Sequence, residues 1–421
     1  MTALRMGLPS GLSRRLTFLF AVAAGAAISN LYWTQPLLGS IAGDLTTTTA
    51  TAGWLVTAAQ VGYAVGVLLL VPLGDVLDRR RFVPVMLLAS AAALLLCALA
   101  PSIGVLLLAL GVLGVTTISG QVLTPLAGDL AGDAHRGRIV GVVGSGTLTG
   151  ILASRTISGF VAGAAGWRTV FVLAAVVAVL LAVLLYRAIP PLAPRTRMPY
   201  PQLIASVVAV VMREPAARWT LVLAATGFAT FSLFWTALTF LLSGPPFRYP
   251  VAVIGLFGLA GLAGVLSGLH GGRLHDRGWS LPATGAAWVL ALSAFVVAAF
   301  AGRSVVLVIV AIIMIDVALQ TQALLSRARL FALSHEARSR LNTALATGNF
   351  IGAAIGSAAA TTLWSARGWT AVTITGTALC CFALIVWAMG RRGPLVIRSA
   401  VTEGPITDRS ETSLNRAAGA K

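Results

Sequence analysis

The chain has 421 residues, 58% of them hydrophobic and only 10% charged, with a mean hydropathy of +0.92. One soluble core cannot hide that much apolar surface, which excludes a soluble globular protein. The 30 basic against 12 acidic residues give a formal charge of +18, which raises nucleic acid as a partner unless the charges lie between membrane spans. The only lysine is the final residue, Lys421. A Walker lysine, a kinase lysine and a Schiff-base lysine are therefore excluded from the body of the chain, and an enzyme is not expected. Cys97, Cys380 and Cys381 sit in apolar runs without disulfide or zinc spacing, and His135, His270, His275 and His335 fall near separate polar loops. Neither a metal nor a cofactor is expected.

A bilayer core of roughly 30 Å takes about 20 apolar residues as helix, and runs of that kind recur along the whole sequence. The first, 16–39, carries Asn30, Tyr32 and Gln35 toward its end. Arg14 and Arg15 precede it, as they would a secretory signal, but the apolar stretch continues through Pro36 to Ile41, too far for one. The second run, 52–76, holds Gln60 and Tyr63. The third and fourth, 82–100 and 104–130, are divided only by Pro101 and Ser102, so hydropathy alone also permits eleven spans; the fourth carries Gln121 and ends near Asp129. The fifth, 139–164, contains Arg155, and the sixth is 169–189. After an interruption come 219–242, 251–271, 281–301, 305–325, 341–365 and 370–389. The eighth is ridged by Gly255, Gly258, Gly261, Gly264 and Gly268, read as a close-packing surface, and the tenth contains Asp316 and Gln320.

Twelve spans with the N-terminus inside place 25 of the 30 basic residues in cytoplasmic segments, four (Arg168, Arg248, Arg303 and Arg367) outside, and Arg155 within a span. That asymmetry is the positive-inside pattern. It accounts for the net charge as topology plus attraction to anionic lipid, leaving no reason to invoke nucleic acid.

The only long interior loop, 190–218, holds five prolines before an amphipathic stretch at 202–212. The expected organisation is an N-terminal segment (1–15), a six-helix half (16–189), a linker (190–218), a second six-helix half (219–390) and a polar tail (391–421). An internal repeat supports the division. A shift of 202 places Arg136 on Arg338, Arg138 on Arg340, Gly146 on Gly348, Gly150 on Gly352, Gly166 on Gly368 and Trp167 on Trp369. Parallel six-span halves are a transporter architecture, with the substrate site near the midplane between them.

The loop after the second span, Leu73-Gly74-Asp75-Val76-Leu77-Asp78-Arg79-Arg80-Arg81, resembles the aspartate-plus-basic loop motif of the major facilitator superfamily. A degenerate echo is Gly271-Gly272-Arg273-Leu274-His275-Asp276-Arg277-Gly278. With twelve spans and a central linker, the resemblance covers nearly the whole chain. The run Asn30-Leu31-Tyr32-Trp33-Thr34-Gln35-Pro36-Leu37-Leu38 further resembles the bacterial drug-efflux-like branch. The resemblance implies an all-α fold, alternating access by rocking of the halves, and proton-coupled export. Two departures stand against antiport. Around Gly141, Gly150 and Gly159, the glycine-and-proline motif of family antiporters is altered, with Ser154 and Ser158 replacing glycines and Arg155 replacing the proline. Thr116 stands where the family's drug exporters often carry an arginine ahead of Gly120.

Within that frame, Asp75 at the end of span two is placed to meet the positive N-terminal dipole of span eleven, and Arg79 to reach Asp129. Such contacts hold the cytoplasmic face closed; the plainer alternative is that the arginines only anchor topology. A charge in a span costs about 2.5–3.5 kcal/mol on insertion scales, so Asp316 and Arg155 are functional candidates by default. Asp316, desolvated in a span that lines the cavity in this family, is suited to load and release a proton or to bind a cation. Its alternative is an interhelical hydrogen-bond partner. Arg155 lies at a similar depth as a coupling or substrate group, or else as a structural partner or snorkelling side chain. Asn30, Tyr32, Gln35, Gln121 and Gln320 are candidate substrate contacts, since aromatic groups with amides suit an amphiphilic organic molecule. The expectation is a bacterial cytoplasmic-membrane transporter, functional as a monomer, exporting such molecules in exchange for protons. A facilitator or importer of the same fold, a non-transporting receptor or scaffold, and half of an ATP-driven pump are the rivals.

Overall fold

The structure, a computed structural model, describes residues 13–132, 135–192, 198–261, 278–334 and 337–396. Among them every regular element is helical. In chain order these are α1 (Arg14–Ser29), a 3-10 turn (Gln35–Leu37), α2 (Leu38–Asp44), α3 (Thr49–Leu70), α4 (Leu73–Val76), α5 (Arg79–Ala98), α6 (Ile103–Thr116), α7 (Ser119–Leu130), α8 (Arg136–Ala165) and α9 (Trp167–Ala188). They continue as α10 (Tyr200–Arg213), α11 (Pro215–Ser243), α12 (Val251–Ala260), α13 (Ser280–Phe300), a second 3-10 turn (Ala301–Arg303), α14 (Val305–Leu333) and α15 (Arg338–Gly390). Among the described residues, nine helical segments are long and apolar enough to cross a bilayer. Leu108 and Phe300 stand among many large apolar side chains left exposed on them, a surface suited to lipid rather than water.

Several boundaries differ from the hydropathy reading, each for a local reason. Pro36 has no N–H to continue an α ladder, so α1 ends at Ser29 and the chain tightens into i to i+3 bonds, among them Tyr32 N–H to the Ser29 carbonyl at 2.8 Å and Leu37 N–H to the Thr34 carbonyl at 3.0 Å. The stretch 104–130 is two helices, parted at Thr117 and Ile118. The break at Pro101 and Ser102 is real: Ser102 caps α6 by accepting the Val105 N–H. The tenth run does not stop at 325 but stays helical to Leu333, which takes Arg327 and Arg329 out of a loop. The amphipathic linker stretch forms α10.

The 202-residue repeat is visible in the backbone. Arg136 and Arg338 both open helices, and Gly166 and Gly368 both take positive φ, +83° and +62°. That conformation disfavours a side chain. Gly166 ends α8, and Gly368 breaks α15 into two stretches, each followed by a tryptophan. Small residues set the tightest crossings. Gly150 lies against the backbone of Gly25, and Gly352 and Gly356 lie against Ala225 and Ala229, so close that a Cβ at any of them would overlap a carbonyl. Buried apolar side chains form two main cores, one drawn mostly from α1–α9 and one from α11–α15. Gly264, Gly268, residues 271–277 of the second loop motif, His270, His275, His335, residues 1–12, Arg195 and Arg197, and the tail from 397 onward lie outside the described residues.

Candidate functional site

Arg155 lies ten residues before the end of α8, about 15 Å by helical rise, and Asp316 eleven residues after the start of the antiparallel α14, about 16 Å from the same end. The two charges therefore sit at one depth, and both are buried, with 3% of each exposed. They form no ion pair within 4 Å. Trp235 of α11 lies between them. Its indole N–H donates to Asp316 Oδ1 at 3.1 Å, and its ring faces the Arg155 guanidinium at 4.3 Å.

The guanidinium is held on several sides. Tyr32 and Phe231 present ring faces at 4.9 and 5.7 Å. Nε donates to Gln35 Oε1 at 2.9 Å, and Nη1 to the carbonyl of Ile151 in its own helix at 3.4 Å. A cation–π contact contributes about 2 kcal/mol when desolvated, so two such faces roughly offset the insertion cost of the charge. This explains how an arginine persists in a span without a carboxylate beside it. The break at Pro36 turns Tyr32 and Gln35 toward it.

The third wall is α12. A Cβ on Gly255 would stand 2.6 Å from the Arg155 carbonyl oxygen, one on Gly258 would stand 3.0 Å from the Arg155 Cβ, and one on Gly261 would overlap Asp316 Oδ2. Glycine at these three positions lets the α12 backbone close over both charges. Between Arg155, Gln35, Pro36, Trp235, Leu238, Thr239, Leu242, Ile254 and Phe257 remains a cavity of about 10 Å³, room for about one water molecule. Two buried donors, Arg155 Nη2 and Gln35 Nε2, have no acceptor there.

The other candidate residues are placed apart from this cluster. Asn30 is occupied locally, its amide donating to Thr117 at 2.9 Å and its oxygen accepting from Trp33 at 3.0 Å. Gln121 donates to the Tyr63 hydroxyl at 3.1 Å, and Tyr63 meets Phe350 edge-on at 4.3 Å. Gln320 is half-buried, one turn from Asp316 in α14, and its side chain makes no hydrogen bond among the described residues. Gln60 of α3 instead joins the two halves of the sequence, donating to Ser232 at 2.9 Å and accepting from Ser357 at 2.8 Å, while Thr57 and Ser357 share a bond of 2.8 Å.

At the arginine-rich end, Arg79 and Asp129 form an ion pair at 2.7 Å, with Arg136 at 3.7 Å. All three belong to α5, α7 and α8, so this pair does not cross between halves. Asp75 does cross: its Oδ2 accepts from the Ser339 hydroxyl, in the first turn of α15, at 3.2 Å. Asp78 caps α5, accepting from the Arg80 N–H at 3.0 Å. Sequence reasoning missed Trp235, although an indole on a helix at the depth of two buried charges is a usable signal. It also missed Arg329, which is buried inside α14 and donates to Ser280 Oγ and Thr284 Oγ1 at 3.2 and 3.0 Å. Among the described residues no group of three or more His, Cys, Asp or Glu side chains is placed to hold a metal.

This geometry, two groups of helices meeting on buried charges at mid-depth, agrees with comparison to known proteins. The sequence profile of the Major Facilitator Superfamily matches residues 17–326. The chain belongs to that superfamily. It is 38% identical over 379 residues to the putative uncharacterized transporter YgaY of Escherichia coli K12, covering 90% of this chain and 96% of that one. It is 34% identical over 374 residues to the probable transporter SCO4007 of Streptomyces coelicolor, covering 86% and 85%. Among solved structures, the bacterial homologue of the human lysosomal transporter Spinster, inward-facing and occupied, superposes with a TM-score of 0.71 at 13% identity, covering 90% of this chain and 96% of that one; this shows the shared fold. The chain is thus an all-helical, multi-pass membrane transporter of this superfamily that carries small molecules.

Proposed function

We propose that this transporter moves small amphiphilic organic molecules by alternating access, coupled to protons through Asp316. The observation that carries the reading is the meeting of Arg155 and Asp316, from opposite halves of the sequence, on the two sides of one tryptophan. A charge change on either group is felt at the contact between halves, which is what coupling requires. The proposed frame is twelve spans in two six-helix halves, 16–189 and 219–390, around a linker at 190–218, with both termini cytoplasmic in a bacterial cytoplasmic membrane and a monomer as the working unit. Asp75, with the Arg79–Asp129 pair bracing its loop, gates the cytoplasmic end. Tyr32, Gln35 and Gln320 contact the substrate, and Asn30 and Gln121 support the helices that carry them.

Export by proton exchange is the direction that the likeness to the drug-efflux-like branch supports. One observation favours the opposite coupling. Arg155 lacks an ion-pair partner, so protonation of Asp316 leaves a positive site that attracts an anion, and the two are then carried together. The test is purified protein in liposomes under an imposed pH gradient, with a panel of amphiphilic compounds and both wild type and Asp316→Asn. Gradient-driven movement that the substitution abolishes supports the coupling role, and the sign of the accompanying proton flux separates exchange from co-transport. Movement that ignores the gradient overturns proton coupling and leaves a facilitator.

A further inference from the structure

The cavity between Gln35, Arg155 and Trp235 presents two donors and no matching acceptor. Arg155 Nη2 and Gln35 Nε2 are buried, with 3% and 1% of their residues exposed, and neither has a hydrogen-bond partner. A buried donor left unpaired costs about 1–3 kcal/mol, and these two belong to residues that line one cavity. The guanidinium has no freedom to turn away, since Nε and Nη1 are bound and Trp235, Tyr32 and Phe231 fix its plane. Asp316 does not serve the free edge: its Oδ1 accepts from the indole, and neither of its oxygens is within hydrogen-bond reach of Nη2. The rest of the cavity wall is Thr239, whose hydroxyl donates to the Trp235 carbonyl at 3.3 Å, and the apolar Pro36, Leu238, Leu242, Ile254 and Phe257.

Two unpaired donors on one cavity, one of them cationic, match the oxygens of a carboxylate, and the apolar part of the wall matches a hydrocarbon or aromatic body beside it. We infer that Arg155 and Gln35 form the subsite for the carboxylate of an organic monoanion, which is the cargo of the transport reading above and rests on it. In the closed arrangement the cavity admits little more than a water-sized oxygen, so the body of the cargo enters when α12 moves off α8. Cargo of this class is supplied by reactions that release a free monocarboxylic acid, such as ester or amide hydrolysis or aldehyde oxidation.

The test uses the purified full-length protein at fixed ionic strength, with benzoate and phenylacetate as probes, benzamide and phenylacetamide as their uncharged counterparts, and chloride as the inorganic anion. Binding is read by calorimetry and by the shift in unfolding temperature. Gln35→Glu keeps an acceptor for the Arg155 Nε but places a negative charge in the subsite; Arg155→Gln removes the cation. Carboxylates bind the wild type and bind Gln35→Glu at least about tenfold more weakly, and the amides do not bind. Amides that bind as well as the acids overturn the inference, as does a Gln35→Glu protein that folds and keeps full carboxylate affinity, or chloride binding without any carboxylate binding. Liposome transport separates the two levels. Movement of neutral or cationic compounds without carboxylate binding removes this subsite and leaves the transporter reading intact, whereas carboxylate binding without movement of any compound does the reverse.

Discussion

Alternating access requires α8 and α12 to part at the end where they now touch, and the structure offers a direct way to stop them. The Cβ position at Gly163 in α8 lies 3.5 Å from the Cβ of Ala252 in α12, within the 3.5–4.5 Å range typical of disulfides. Gly163→Cys with Ala252→Cys, made with Cys381→Ser because Cys381 is the exposed native thiol, therefore forms a crosslink with little backbone movement. The closed loop is about 90 residues, for which chain entropy sets a stabilisation of about 4–5 kcal/mol against unfolding when native geometry is undisturbed. The crosslinked fraction is measured by mass-tagging of free thiols, and transport by the liposome assay before and after reduction. Transport falls in proportion to the crosslinked fraction and returns with reductant, while the unfolding temperature of the oxidised protein rises. A fully crosslinked protein that transports at the reduced rate refutes the idea that these helices separate in the cycle.

The close approach of α12 also makes Gly255→Ala disruptive. Its Cβ begins 2.6 Å from a backbone oxygen, so the helices separate by several tenths of an ångström, at about 1–3 kcal/mol, read as a lowered unfolding temperature; Gly141→Ala on α8, with nothing within 4 Å, is the neutral control. Arg79→Ala removes the 2.7 Å ion pair to Asp129 and costs about 1–3 kcal/mol by the same measure, but Arg81→Ala does not. Outside the spans, hydrogen bonds from Arg168 and Trp167 hold the Asp44 carboxyl below its usual range. Its lowered value means this contact contributes above the ordinary carboxylate range and is lost as pH falls through the lowered one, so Asp44→Asn lowers the unfolding temperature slightly at neutral pH, matches wild type at the acid end, and thereby flattens the acid limb of the profile.

Much of this arrangement is legible in the sequence because a bilayer makes charge expensive. Arg155 and Asp316 stand out as charges in apolar runs, and their common depth follows from counting residues. What periodicity does not carry is rotation about each helix. It was the break at Pro36, rather than the run 16–39, that decided which polar groups of the first span reach Arg155. Tyr32 and Gln35 fall after the ladder tightens and do reach it, whereas Asn30 is turned toward Thr117. Trp235 went unnoticed because an indole in a span reads as packing until its N–H is seen to meet a carboxylate. Hydropathy ends a helix at its first arginines and so leaves Arg329 beyond the run 305–325, whereas α14 continues two more turns, with Ser280 and Thr284 accepting hydrogen bonds from that charge.

The repeat shows where the two halves were made unlike. Under the 202-residue shift Trp235 falls on Trp33, Arg155 on Ser357 and Asp316 on Gly114. The scaffold is kept: both tryptophans donate their N–H, Trp33 to Asn30 and Trp235 to Asp316, and the helices bearing Arg155 and Ser357 each pack on a helix of the other half, α12 and α3. The charge is not kept. Ser357 meets Thr57 and Gln60 through neutral hydrogen bonds, which satisfy every group at a modest energy. The arginine at the matching place demands three aromatic faces, a broken helix and a glycine ridge to be held there. A neutral crossing of the kind built on Ser357 would hold the halves together equally well. The added requirements on one side only are what the proposed role of these charges calls for, a contact between halves tied to the arrival of a proton and an anion.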